Sequence, residues 1–368
     1  MRMSTSPKGY SLFLKDLDRI LDCSRRDMLS LKGCSLFLTG CTAFIGKWLM
    51  ESLLWANQQL TLGLRLTVLT RSPTSFLDAM PHLAAHKSLS LVQGSILCLP
   101  GQDIPRFDLA IHGVNLPNDA RTSWPARHML TVVSGTEALM NMAARKGCRH
   151  ILLLSSGAVY GSPLSQKTPF AEDALPVDLH EPAVYGNTKR FVESYARAKG
   201  QELGIAISIA RCFAFIGAYM PLNERNAMSS FLLHALRRQP ITIQGDGTPL
   251  RSFLSGRDLS IWLLAMLSRG NGRVYNVGSR HVFPLRKWAQ KVLTCAELPE
   301  DFLVVQGKAL RGNAPDVYVP DTSLARNALQ LAETASPEEN IMTTLNWFRE
   351  HPACIPAVSE HLDKSALA

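Results

Sequence analysis

Two hydroxyls, a phenol and an amine occur in an order that could move a proton. The run Ile151-Leu152-Leu153-Leu154-Ser155-Ser156-Gly157-Ala158-Val159-Tyr160-Gly161 is an apolar strand that delivers Ser155 and Ser156 at its end. Downstream, Tyr185-Gly186-Asn187-Thr188-Lys189 sets a phenol and an amine four residues apart, which on a helix puts both on one face. An ammonium there can lower the phenol's pKa from its usual value of about 10. The result is an acid or base near neutral pH, while a serine hydroxyl can hold the same substrate oxygen. A third stretch, Ser35 to Met50, is an apolar strand that breaks at Gly40 and resumes at helical spacing through Phe44, Trp48, Leu49 and Leu53. Strand, glycine turn and helix together offer free N–H groups and a partial positive charge to a pyrophosphate. Thr39, Gly40, Thr42, Ala43, Phe44, Ile45 and Gly46 are therefore expected to line the phosphates of a dinucleotide. Such a set suits hydride transfer to or from a nicotinamide, with Tyr185 carrying the proton.

The rest of the chain has to hold these groups at one edge of a sheet. Leu64 to Leu69 reads as a second strand, ending at Thr70 and Arg71, where an adenosine ribose would lie. An acidic residue there would bind the ribose 2′-hydroxyl, whereas Arg71 leans towards a 2′-phosphate, so NADP is favoured over NAD. Ser88 to Gly94 is a third strand, followed by Ser95. Phe107 to Gly113 is a fourth, ending beside the nicotinamide-side phosphates; His112 stands at that end and its ring is read as structural. Thr131 to Gly147 and Tyr185 to Leu203 read as helices. Strand and helix alternate throughout, which predicts an α/β, Rossmann-type doubly wound parallel sheet. From about Phe213 the alternation fails, and a smaller, mostly C-terminal substrate-binding lobe is expected. Ser255 to Leu267 (helix) and Val274 to Val277 (strand) read as a return to the main sheet. The expected boundaries are a helical N-terminal extension over 1–32, a dinucleotide-binding domain over 33–212 and 255–278, a substrate lobe over 213–254 and 279–356, and a tail over 357–368.

Taken together, Thr39-Gly40-x-x-Ala43-x-x-Gly46, the serine strand end and Tyr185-x-x-x-Lys189 resemble the extended short-chain dehydrogenases/reductases of the NAD-dependent epimerase/dehydratase family. The similarity runs over about residues 33 to 330. By that resemblance Ser156, Tyr185 and Lys189 match the catalytic serine, tyrosine and lysine, and Tyr185 and Lys189 also contact the cofactor. The sequence departs from the family pattern at four ligand positions. Ala43 replaces the middle glycine, Ser95 an adenine-contacting Asp, Val132 the Asn of an Asn-Val-x-Gly-Thr segment, and Ala214 an Asn that helps hold substrate. Gln244 to Phe253 is similar to the segment whose arginine, here Arg251, grips the sugar-nucleotide diphosphate.

Dehydrating members carry an Asp-Glu pair directly after the hydroxyl residue, and decarboxylating members a Glu two places on. Here those places are Gly157 and Ala158, which transfer no proton. The resemblance then implies chemistry at C4 of a nucleotide sugar, as a 4-ketoreductase using NADPH or a 4-epimerase retaining NAD. It further implies a homodimer through the helices holding Met129 to Ala144 and Tyr185 to Leu203. The four departures leave open a non-catalytic dinucleotide-binding sensor or scaffold.

Composition agrees with this picture. The 368 residues are 46% hydrophobic and 19% charged, with a net charge of +9, enough for a large core and favourable to anionic ligands. No Lys/Arg run is long enough to suggest a nucleic-acid site. The eight cysteines include no Cys-x-x-Cys pair, which points to thiols in a reducing compartment rather than disulfides or a metal site. No apolar run reaches the roughly 18 residues of a membrane span, and Met1 to Gly9 lacks a signal peptide's apolar core. A cytoplasmic location is expected.

Overall fold

A computed structural model of the chain describes residues 10–101, 103–115, 125–161, 169–174, 184–307 and 315–357. The first nine residues and positions 358–368 of the expected tail lie outside the described residues. In chain order the first half gives α1 (Leu14–Ser30), β1 (Ser35–Thr39), α2 (Phe44–Leu60), β2 (Arg65–Thr70), α3 (Pro73–Ala79), β3 (Leu89–Gln93) and β4 (Leu109–His112). It continues with α4 (Pro125–Lys146), β5 (His150–Ser156), α5 (Val184–Leu203) and β6 (Ala206–Cys212). The second half alternates short strands and helices: β7 (Phe215–Ile216), α6 (Ala227–Leu236), β8 (Ile241–Ile243), β9 (Leu250–Arg251), β10 (Leu254–Ser255) and α7 (Gly256–Arg269). After these come β11 (Val274–Val277), β12 (Phe283–Pro284), α8 (Leu285–Cys295), β13 (Leu303–Val305), β14 (Val317–Tyr318), α9 (Ser323–Leu329) and α10 (Pro337–Glu350).

Seven strands form one parallel sheet in the order β11-β6-β5-β4-β1-β2-β3. Successive side chains on a strand face opposite sides, and the two cores divide accordingly. Leu36, Leu38, Ile111, Leu152 and Leu154 belong to one core with residues of α1, α2 and α7. Phe37, Ala110, Ile151 and Leu153 belong to the other with residues of α4 and α5. Helices on both faces of a parallel sheet make the doubly wound α/β fold. The order reverses between β1 and β4, so the β1 turn lies at the switch point where such sheets bind ligands. One boundary differs from the sequence reading: helix α4 already includes Pro125, ahead of the expected start near Thr131.

The N-terminal extension is tied to α2. Glu51 of α2 is fully buried and accepts from the backbone N–H groups of Ser11 and Leu12 at 3.0 and 2.9 Å. It also meets His82 at 2.9 Å and takes the Tyr219 hydroxyl. Along α1, Asp16 pairs with Arg257 and Asp27 with Arg269, both arginines on α7. Beyond β6 the short strands form small sheets, β12-β9-β14, β13-β8 and β10-β7, with α6, α8 and α10 packed around them.

Candidate active site

The glycine turn has the geometry that a phosphate cradle requires. Gly40 has φ +68°, and a Cβ there would stand 2.4 Å from the Gly113 carbonyl carbon. At Gly46 a Cβ would fall 1.8 Å from the Cys41 carbonyl oxygen. Both positions therefore demand glycine. Ala43 is different: it is exposed and extended, with φ −104° and ψ −168°, a conformation open to any residue. Its methyl costs nothing in backbone strain and narrows only the approach of a ligand. Ala43 is the N-cap of α2 and has no side-chain cap bond, so first-turn N–H groups face outward beside the half-buried Thr42, Phe44 and Ile45. Thr39 lies beneath the turn, fully buried.

Other positions singled out as cofactor contacts divide into surface and scaffold. Arg71 is exposed just past β2, and Thr70 is buried beside it. Ser95 is half-buried, and its hydroxyl accepts the Leu97 N–H at 3.3 Å. At His112 the ring turns neither nitrogen outward. Thr136 Oγ1 donates to the Val132 carbonyl at 2.7 Å, so towards His112 Nε2, at 3.0 Å, it accepts. The ring proton is therefore on Nε2, and Nδ1 accepts from Thr39 Oγ1 at 2.6 Å. Burial, reinforced by Lys189, pushes this imidazole down to about 3, and it is neutral.

The three residues of the catalytic pattern come from two elements that touch, Ser156 from β5 and Tyr185 and Lys189 from α5. Lys189 is buried on α5, its ammonium donating to the carbonyls of Leu154 at 3.2 Å and Val114 at 3.4 Å, one on β5 and one just past β4. One helical turn earlier, Tyr185 lies within 3.5 Å of Asn115 Nδ2 and 5.8 Å, ring to ring, from His128. Gly186, the next residue, packs so closely on the turn after Ser156 that a Cβ would meet the Ala158 carbonyl oxygen at 2.3 Å. That contact brings the start of α5 against the end of β5. Ser156 is 9% exposed and its Oγ accepts the Ala158 N–H at 3.2 Å. Nearby thiols are inert: burial pushes both Cys41 and Cys212 up to about 12, so neither supplies a thiolate near neutral pH.

Ser155 faces the opposite side of the strand, and there the sequence reading missed a buried network. Its hydroxyl donates to Glu193 at 2.5 Å, and Glu193 is gripped by Arg211 at 2.8 to 3.2 Å. Arg211 also donates to Tyr160 Oη, which donates to Asn276 Oδ1 at 2.7 Å. The signal was present as Lys189-x-x-x-Glu193, one turn further along the same helix, but its partner lies on another strand. A separate open groove of about 710 Å³, lined by Arg197, Gln201 and Asn271, borders this network and holds none of the predicted site residues.

Arg251 and Ala214 lie in the second half of the chain, on β9 and between β6 and β7. Arg251 pairs with Asp316 at 2.7 Å and donates to the carbonyls of Leu250 and Asp316. It stands opposite Tyr318 in the β9–β14 register. Ala214 is half-buried, and its carbonyl accepts the Leu254 N–H at 3.0 Å; the methyl offers a ligand no hydrogen bond. Among the described residues no cluster of metal-ligating side chains occurs, and no helix is long and apolar enough to cross a membrane.

With this geometry in hand, the chain was compared with known proteins. A family profile described as "NAD dependent epimerase/dehydratase family" matches residues 36–278. UDP-glucuronic acid decarboxylase 1 of Arabidopsis thaliana is 25% identical over 323 residues, covering 86% of this chain and 70% of the relative. UDP-glucuronic acid decarboxylase 5 of the same plant is 31% identical over 207 residues, covering 56% and 59%. Among solved structures, an epimerase from Methanothermobacter thermautotrophicus superposes with a TM-score of 0.75 at 24% identity, covering 91% of this chain and 97% of that one. A UDP-glucose 4-epimerase from Thermotoga maritima, solved with UDP-glucose, gives 0.72 at 19% identity over 86% and 99%. These structural likenesses establish the doubly wound fold.

Proposed function

The chain belongs to the NAD dependent epimerase/dehydratase family, and from that premise we propose that it acts at C4 of a nucleotide-activated sugar, as a 4-ketoreductase or 4-epimerase, with Tyr185 as acid/base. The observation that carries this reading is the gathering of Ser156, Tyr185 and Lys189 beside two positions, Gly157 and Ala158, that hold no proton-transferring group. The decarboxylase relatives belong to a group whose pattern puts a Glu where this chain has Ala158. Chemistry that needs an extra acid or base at C5 or C6 is therefore disfavoured.

A dinucleotide would lie on the β1 turn, its phosphates at the open N-terminus of α2 and its adenosine ribose near Arg71. The turn suits it: Gly40 and Gly46 leave room that any Cβ would fill. When bound, the nicotinamide accepts or returns the hydride. Every proton remains with the protein. Tyr185 gives its hydroxyl proton to the C4 oxygen as a ketone is reduced, or takes it as an alcohol is oxidised. Ser156 hydrogen-bonds the same oxygen. Lys189, held by two carbonyls, places a positive charge one helical turn from Tyr185 and reaches towards the nicotinamide ribose. Arg251 is assigned to the substrate's diphosphate, which a guanidinium fork suits, and Ala214 to the sugar side of the cleft. Arg71 favours NADP modestly over NAD.

Replacing Tyr185 by Phe tests the assignment. Turnover should fall by about 10²- to 10⁴-fold, the range of general acid–base catalysis, with dinucleotide affinity nearly unchanged. Full activity in that variant would remove Tyr185 from the chemistry.

A further inference from the structure

Five neighbouring strands of the main sheet, in the order β5-β4-β1-β2-β3, run parallel, so their starts lie along one edge, and each is entered through an exposed cation. These are Arg149, Arg106, Lys32, Arg65 and Lys87. At about 4.8 Å per strand the row spans about 20 Å. The sequence shows no basic run because each charge comes from a different stretch, and only the sheet brings them together. Two of the arginines are anchored at the start of β1: Arg65 Nε donates to Ser35 Oγ at 3.0 Å and Arg149 Nη2 to the adjacent Cys34 Sγ at 3.3 Å. Arg106 Nη2 would stand 2.7 Å from a Cβ on Gly147, two residues before Arg149. Among the described residues none of the five stands in an ion pair. The half-buried Asp108 at this edge spends Oδ2 on the Ser35 N–H at 2.7 Å. Helix α4 ends here with Arg145 and Lys146, which the negative end of its dipole favours. The three strand-entry arginines lie on no helix, so helix dipoles do not account for them.

We propose that this edge is a docking surface for an anionic lipid bilayer. Charge complementarity carries the assignment: a cluster of this size is drawn to acidic headgroups, each cation adding about fivefold in affinity. The end of α1 supplies an apolar group for the interface, Leu29, 48% exposed and three residues before Lys32. A single-stranded nucleic acid finds less here, because its bases need exposed rings to stack on. Among the described residues the one exposed aromatic side chain, Phe191, stands near the start of α5, whereas it is the end of that helix that leads into the sheet at this edge. The glycine turn and Ser156 lie at the other ends of β1 and β5, strands of five and seven residues, about 20 Å away. A chain seated on a bilayer by its strand starts keeps the candidate active site open to solution.

The test is flotation of the full chain with vesicles of phosphatidylcholine containing one-third phosphatidylglycerol, against vesicles of phosphatidylcholine alone. The chain should float with the anionic vesicles only and be released at about 1 M salt, where the screening length falls to about 3 Å. Lys32→Gln with Lys87→Gln disturbs none of the contacts above and should weaken binding about 25-fold, with Arg106→Gln adding about fivefold more. Arg225→Gln with Arg280→Gln removes the same charge from exposed positions away from this edge and should leave binding unchanged. Circular dichroism melts check that each variant folds. Equal binding to neutral vesicles, no binding at low salt, or equal weakening by the two pairs overturns the proposal. Double-stranded RNA that displaces the chain from the vesicles and binds it more tightly would assign the edge to nucleic acid and overturn the proposal as well.

Discussion

His112 shows how a residue at the edge of a candidate site can spend its ring within the protein. It stands at the end of β4, beside the glycine turn, but both ring nitrogens are spent on Thr39 and Thr136. Its folded pKa is about 3 against about 6.5 in an unfolded chain. Between those values the unfolded state binds more protons, so the contribution of His112 is complete above about pH 6.5 and is lost as pH falls towards 3. At pH 7, His112→Gln should cost about 1 to 3 kcal/mol, the price of unsettled buried hydrogen bonds. By pH 5 that gap should narrow by up to about 2 kcal/mol, at 1.36 kcal/mol per pH unit. Urea melts at the two pH values read this directly, and a gap that stays constant would mean that the ring titrates alike in the folded and unfolded chain. Ser156, Tyr185 and Lys189 were legible in the sequence because strand end and helix periodicity fix their neighbours locally. The network around Arg211 was not, because its partners Glu193, Tyr160 and Glu172 come from separate stretches of the chain.

The same distinction holds for whole elements. β1, β2 and β3 fall within a residue or two of their sequence-based positions: β1 is a fully buried run, whereas the partly exposed β3 is a short stretch ended by Gly94. The two-residue strands β7, β9, β10, β12 and β14 are too short to show alternation, so the substrate side could be recognised only as irregular. What joins the two sides is also illegible locally. Trp48, on α2, is wedged between Gly217 and Gly256: a Cβ on Gly256 would come within 2.2 Å of its indole. The indole N–H donates to the Ala218 carbonyl at 2.9 Å. Helical spacing marks Trp48 as apolar core but says nothing of the two glycines that admit it. Glu51, one turn on, lies on the same helix. The structure makes it the buried acceptor that ties the N-terminal extension, α2 and Tyr219 together, a cost in desolvation that its several donors offset.

At the scale of the molecule, α4 and α5 pack side by side and leave apolar side chains outside. Leu130 is 67% exposed, Phe191 53% and Met129 37%. We infer that a second copy of the chain covers them, giving a homodimer. Sedimentation velocity at micromolar concentration should show two chains, and Leu130→Glu with Phe191→Glu should weaken association at least tenfold, about 1.4 kcal/mol; a monomeric wild type would contradict the dimer. The central claim, hydride chemistry confined to C4, is tested most directly by product analysis. The purified protein would be denatured and its supernatant examined by mass spectrometry for bound dinucleotide. The native protein would then be incubated in D₂O with NAD(P)(H) and with UDP-glucose, UDP-N-acetylglucosamine, their 4-keto forms and UDP-glucuronic acid, and the products read by NMR. The account predicts a change at C4 alone, without deuterium at C5 or C6. Retained NAD would mark the epimerase, and an empty site preferring NADPH the reductase. Release of CO₂ from UDP-glucuronic acid, deuterium at C5, or failure to bind either dinucleotide would contradict it.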